Sequence, residues 1–298
     1  MQSLYTFKSK KDQSVLNGEK DMLKHIEDIS KLQIVVISFL LFLFRHAENF
    51  FEENKSKFLP KDEDINPNLR FIDNSFYKFF LNNKTHISIY EKYSFFWNDN
   101  DHDIVRKIFM EIIKSDLYIK FLNDKEISYE KDIKFFNNIL NDIILNNKIL
   151  HHILEENSIY WIDDLPFVAT IVMGNFKNQK VIIPKSVFKN QSDKMFAKDL
   201  FKLTIKNDLF YENIIIEKAK NWDLDRIAIM DQIMIKMAFC EILNMSELPV
   251  KVSLNEYIEI SKYYSTSKSK MFINGLIDSA IKDFNKQNKI NKVGRGLM

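Results

Sequence analysis

The stretch Lys268–Phe284, "KSKMFINGLIDSAIKDF", decides between two kinds of fold. Asn274-Gly275 set between hydrophobic residues is the strongest short-range signal for a β-hairpin. The rest of the stretch has the pattern of an amphipathic helix. A hairpin needs strand partners, and everything around Asn274-Gly275 is helical in pattern. The helix reading therefore holds, and the glycine then needs a reason. Gly inside a helix costs about 1 kcal/mol against Ala. Close packing of another helix on its bare backbone would offset that, so Gly275 is expected to be a packing notch and Asn274 a side-chain tie between helices. Such a notch sets Phe272 and its neighbouring lysines at the surface.

Composition points the same way. The chain of 298 residues is 46% hydrophobic, enough for a sizeable core, yet holds only five glycines and five prolines. Average usage would give about 20 and about 15. Sandwiches and barrels need frequent Gly/Pro turns, so the expected class is all-α. The single cysteine, Cys240, excludes a disulfide framework and sits in the apolar run "MAFCEIL", as a small buried hydrophobe would. Net charge is +2, with 38 lysines against five arginines, so any nucleic-acid surface relies on lysine point charges. Met1 is followed by polar "QSLYTFKSKKDQ", unlike a secretory leader. The longest apolar stretch, Leu32–Phe44, is 13 residues with Gln33 and Ser38 inside it. A membrane span needs about 20, so it reads as a core helix and the chain as cytoplasmic.

Along the chain, Met1–Phe7 is a short amphipathic piece, and the polar segment with Asn17-Gly18 reads as a loop. One long helix is expected from Met22 to about Lys55, then an acidic linker "LPKDEDINPN" and a weaker helix from Asp73 to about Lys92. A further helix is capped among Asp99, Asp101 and Asp103, with Ile104, Ile108, Ile112 and Ile113 on one face. Tyr129–His152 forms another, and Trp161 opens a helix with Pro166 in its first turn. Val181–Asn190 reads as a linker. Dense helices follow from Gln191, ending in a basic, polar tail.

Few constellations carry chemistry. The Asp99-x-Asp101-x-Asp103 spacing lacks the Gly and Glu of a calcium loop, having Ile104 and Met110 there. His151 and His152 are adjacent, so they point about 100° apart rather than sharing a helix face as metal ligands do. No glycine-rich phosphate loop or nucleophile elbow occurs. No catalytic residue, metal site or cofactor is therefore expected. In "NWDLDRIAIMDQIMIKMAFCEILNM", Asp223 and Asp225 serve a helix start, and Ile229, Ile233, Met237 and Cys240 form an apolar face. Asp231 stands beside that face, as a solvated acid or a partner-contacting one, and Lys236 lies on another flank. Further on, Ser253 and Glu256 have capping-box spacing. Tyr263, Tyr264, Lys268, Lys270 and Phe272 interleave aromatic rings with lysines, a pattern suited to single-stranded RNA but open to a core role for Phe272.

Taken in order and spacing, "NWDLDRIAIMDQIMIKMAFCEIL", "LPVKVSLNEYIEISKYYS" and "KMFINGLID" resemble the C-terminal half of the NusB family of bacterial transcription antitermination factors. "MQSLYTF" resembles that family's first helix. "LPKDEDINPN", "FWNDNDHDIVRKIF" and "ENSIYWIDDLPFV" resemble its long form, with an insertion after helix one. The resemblance implies a NusB-like helical bundle with a large helical insertion in the N-terminal half, no catalysis, and two partners within the RNA polymerase antitermination complex. These are single-stranded boxA RNA of nascent ribosomal RNA transcripts and the ribosomal protein NusE. Matched residue by residue, Tyr5 and Asp231 fall where the family meets NusE. Gln2, Lys236 and Phe272 fall where it meets RNA, and Lys268 and Lys270 flank that surface.

The expected division is residues 1–185, an N-terminal helical region holding the insertion; 186–286, the C-terminal bundle; and 287–298, a basic flexible tail. The family's Arg-rich segment, of RRxxR type, would precede the residues matching "MQSLY"; either the true start lies upstream of Met1 or this version has lost it, and the chain as given is expected to bind RNA weakly. Two rivals follow. One is a helical interaction scaffold with weakened RNA binding. The other is the N-terminal RNA-binding part of an rRNA cytosine methyltransferase, which would need a following domain with a Gly-rich cofactor loop and catalytic cysteines.

Overall fold

The computed structural model describes residues 1–10, 14–82, 84–97, 103–180, 186–219 and 224–293. The fold is all-α, with no strand among the described residues. In chain order the helices are α1 (Gln2–Ser9), α2 (Val15–Lys55), α3 (Asp62–Ile65), α4 (Ser75–Leu81), α5 (Lys84–Glu91), α6 (Ile104–Lys114), α7 (Asp116–Asn123), α8 (Tyr129–Ile139), α9 (Lys148–Asn157) and α10 (Trp161–Lys177). Then come α11 (Gln191–Lys206), α12 (Asp208–Lys218), α13 (Ile229–Asn244), α14 (Val250–Tyr264) and α15 (Ser267–Lys286). The chain forms two compact units, one of Met1–Lys24 with Phe188–Met298 and one of His25–Val187.

In the His25–Val187 unit, the apolar run of α2 is buried on every side. Leu32, Val35, Leu41, Leu43 and Phe44 have no exposed surface. The Phe44 ring sits among Tyr77 (4.1 Å, stacked), Phe136 (4.9 Å), Phe71 (5.5 Å) and Phe76 (5.9 Å). Ser38, the polar break in the run, is satisfied without water. Its hydroxyl donates to the Tyr90 carbonyl at 2.9 Å and accepts from the Trp97 indole at 3.0 Å. No described helix is long and apolar enough to cross a membrane. Ile104, Ile108 and Ile112 form the buried stripe of α6. Asp103 stands at its N-cap but makes no cap bond, because its carboxylate is taken by Arg106; Asp99 and Asp101 lie outside the described residues. The segments expected as single helices over 73–92 and 129–152 are each broken. Asn147 ends the second by accepting from Ile149 and Leu150 at 3.0 and 3.1 Å, restarting the chain as α9. Pro166 lies inside α10, past its first turn.

The other unit is built around α13, against which α1, α11, α12, α14 and α15 all pack. Residues 233–236 and 238–240 are buried, so α13 has no single apolar face; a helix surrounded on all sides is apolar all round. Ile229, expected on that face, is 55% exposed. The capping box is also corrected. α14 starts earlier, after Pro249, which leaves Ser253 buried inside the helix. After α15 the chain remains tied as far as Val293, whose N–H donates to the Ser246 carbonyl at 3.0 Å, and the Lys292 ammonium donates to the Met245 carbonyl at 2.8 Å.

The two Asn-Gly pairs exchange roles relative to expectation. Asn17-Gly18 is helical, inside α2. A Cβ on Gly18 would lie 2.6 Å from the Phe7 ring and 3.0 Å from that of Phe201, two rings that meet edge to face at 5.8 Å. Gly18 is thus the packing notch, and Glu19 beside it binds Lys198 and Lys202 of α11 at 3.0 and 2.6 Å. At Gly275 a Cβ would meet nothing within 4 Å. Asn274 is exposed and has no side-chain hydrogen bond among the described residues. The notch and tie expected of that pair do not exist, because both residues lie on the outer face of α15. Gly275→Ala should therefore raise stability by about 0.5–1 kcal/mol through helix propensity alone. Gly18→Val should lower it by about 1–3 kcal/mol through overpacking. Urea unfolding of the two variants checks both signs.

Candidate partner and nucleic-acid interface

Helix α15 begins where Thr266 accepts from the Ser269 N–H at 3.1 Å. Ile273, Leu276, Ile277, Ala280 and Phe284 form its buried face. The outer face therefore falls on Lys268, Met271 and Gly275, one and two turns apart. Lys268, Asn274 and Gly275 are exposed, Met271 is 70% exposed, and Lys270 is half-buried. Phe272 is half-buried and packs against the core from its edge. Tyr263, at the end of α14, is 84% exposed. Lysines, exposed aromatic surface and an uncovered stretch of backbone thus occur together at the α14–α15 turn.

A second set lies on α1 and α13, which pack together. Leu4 turns into the core while Tyr5 remains 43% exposed; Gln2 is half-buried. Asp231, in the first turn of α13, is only 3% exposed, and its Oδ1 has no hydrogen-bond partner among the described residues. The helix N-terminus favours a carboxylate there, but a buried acceptor left unpaired costs about 1–3 kcal/mol. Asp231 is not the solvated residue that pattern alone allowed. Nearby α12 leaves Leu209, Phe210 and Ile216 exposed.

Lys236 does not stand at the surface, and its expected contact with RNA is corrected. It has no exposed area, and its ammonium lies 2.8 Å from Asp208 and 2.7 Å from Glu212. Lys8 reaches the same Asp208 carboxylate at 2.9 Å. Burial works against the Lys236 charge, yet the bonds to Asp208 and Glu212 outweigh it and hold its pKa above the ordinary 10.5. Burial likewise works to raise Asp208, and Lys236 with Lys8 outweighs it, holding the carboxyl below 3.8. Lys8 is lowered, first by burial and then by the neighbouring Lys236 charge. Asp208, Glu212 and Lys8 were missed in the sequence. Their signal was a cation in the apolar middle of a helix and two acids at i, i+4 on the preceding one.

Other groups are inert. Burial pushes the Cys240 thiol above its ordinary pKa, so it is not a ready nucleophile. His151 meets the Leu145 carbonyl at 2.6 Å while His152 faces Glu156 at 3.5 Å, so the pair diverges. No group of metal-ligating side chains occurs among the described residues.

The bundle unit is thus a helical module with exposed surface on α1, at the start of α13 and on the outer face of α15. A family model described as "NusB family" matches residues 177–282. Three relatives bear the name Transcription antitermination protein NusB. That of Salinibacter ruber is 44% identical over 107 residues, covering 36% of this chain and 67% of the relative. That of Chloroherpeton thalassium is 38% identical over 122 residues, covering 41% and 58%. That of Methylacidiphilum infernorum is 38% identical over 94 residues, covering 32% and 66%. No solved structure matches the chain. The chain belongs to the NusB family.

Removing Lys236 strands Glu212 and leaves Asp208 with Lys8 alone. Lys236→Ala should cost about 3–5 kcal/mol, the range for breaking a buried ion pair; an unchanged urea midpoint would show that the cluster holds nothing. The depressed Asp208 pKa adds stability that is present above pH 3.8 and is lost as pH falls through the lower folded value. Asp208→Asn should flatten that acid limb in a pH series of melting curves.

Proposed function

We propose that this chain is a non-catalytic transcription antitermination factor that binds boxA-type RNA of nascent ribosomal transcripts together with ribosomal protein NusE. The family match carries the reading, because residues 177–282 include both α13 and the outer face of α15. In this reading Lys268 and Lys270 hold phosphates, and Phe272, with Gln2, contacts bases. The exposed Asn274-Gly275 backbone lets the strand approach closely. Tyr5 and Asp231 meet NusE, and the exposed Tyr5 ring supports this. Lys236 acts one step back, by fixing α12, α13 and α1.

Titration of full-length chain with boxA RNA across salt tests the RNA half. Each phosphate of a single strand that a substitution leaves unneutralised lowers the slope of log K against log salt by about 0.7. Lys268→Ala with Lys270→Ala should lower it by about 1.4, while a flat profile in the parent chain would leave the scaffold reading. For the protein half, Asp231→Asn should weaken co-purification with NusE under conditions where melting curves show both forms fully folded. Equal recovery of NusE by the variant would remove Asp231 from that contact.

A further inference from the structure

The His25–Val187 unit has two exposed features that complement each other and that the antitermination reading does not use. The first is a groove of about 790 Å³ between α8 and α10. Its floor is the buried surface of Ile133, Ala169 and Met173. Gly174 lines it with no atom within 4 Å of where a Cβ would stand, so the wall is bare backbone there. Lys134 and Lys177 line its exposed rim, and neither has an ion-pair partner among the described residues. The groove runs along α8 from Tyr129 to Asn141, about 18 Å at 1.5 Å per residue.

The second is the segment Phe58–Ile65. Phe58 is 98% exposed, Leu59 83% and Ile65 49%. The segment is nevertheless shaped in advance. Asp64 accepts from the Lys61 N–H at 3.0 Å and from the Lys57 ammonium at 3.4 Å, which turns the chain into α3. Asp62 and Glu63 remain exposed without an ion-pair partner among the described residues. The chain bends at Phe58 and Leu59 and is helical from Asp62, so the segment is shorter than the about 18 Å it would span if extended to Asp62.

We propose that the Phe58–Ile65 segment of one copy docks in the α8–α10 groove of a second copy. Phe58 and Leu59 cover the apolar floor, and Asp62 and Glu63 meet Lys134 and Lys177. The apolar residues suit the floor and the two acids suit the two lysines, with Glu130 the one opposing charge on the lining, and the segment's helical end is ordered before contact, which limits the entropy cost of binding. RNA suits the groove less well. It has no arginine, and its one aromatic residue, Tyr129, commits its hydroxyl to the Phe176 carbonyl at 2.5 Å. The area is small, so the association belongs to the weak, transient class.

Sedimentation of the full chain over rising concentration should show reversible self-association. A synthetic peptide of residues 55–66 should compete with it. Phe58→Asp with Leu59→Asp, at positions whose exposure makes them neutral to folding, should weaken association at least about tenfold, or 1.4 kcal/mol. Lys134→Glu with Lys177→Glu should do the same. Mixing that variant with Asp62→Lys/Glu63→Lys should restore association. A monomer at every concentration, association indifferent to these variants, or a groove occupied by RNA or by another protein would each overturn the proposal.

Discussion

Lys236 is a cation with no exposed surface, and much of the bundle depends on how it is neutralised. Its partners Asp208 and Glu212 lie one turn apart on α12, and Lys8 brings α1 to the same carboxylate. Each bond is directional, unlike the apolar contacts around it. Apolar packing alone tolerates sliding and rotation of one helix on another. A buried ammonium shared between two carboxylates does not, because any slip leaves a charge unpaired in the core. The register of α1, α12 and α13 is fixed by this cluster, and with it the placing of Tyr5 and Asp231.

That consequence explains why a residue matched to an RNA-contacting position is found inside. A lysine read from a family pattern carries no sign of depth. Depth was legible only from its neighbours, since Ile233, Met234, Ile235, Ala238, Phe239 and Cys240 surround it and are all buried. Asp231 shows the converse. Its place beside an apolar face was visible, but whether its carboxylate found a partner depends on helices far away in sequence.

The all-helical class and the long apolar helix were readable from the scarcity of Gly and Pro and from hydrophobic spacing. The stopping points were not. Asn147 restarts a helix that periodicity continues, because its side chain competes for backbone N–H groups without changing the apolar pattern. The two Asn-Gly pairs make the limit plain. Locally Gly18 and Gly275 have the same dipeptide, yet one is pressed by Phe7 and Phe201 and the other faces open space. Which rings arrive at a glycine is set by tertiary packing, which the dipeptide does not encode.

The size of the unit between residues 25 and 187 follows from similar reasoning. The run Leu32–Phe44 is apolar around its whole circumference, so one neighbouring helix cannot cover it. Phe44 alone needs Phe71, Phe76, Tyr77 and Phe136 to close its surroundings, and Ser38 needs Tyr90 and Trp97 to satisfy its hydroxyl. These partners come from segments well downstream in the chain. A chain that continues its second helix with such a run must also supply a shell for it. The described residues from 69 to 176 lie outside the family match and form that shell, a second core assembled around an extension of one helix. Whatever the shell does for function, its first requirement is to keep that helix from water. Only side chains facing away from α2, such as Lys134 and Lys177, are free of that duty.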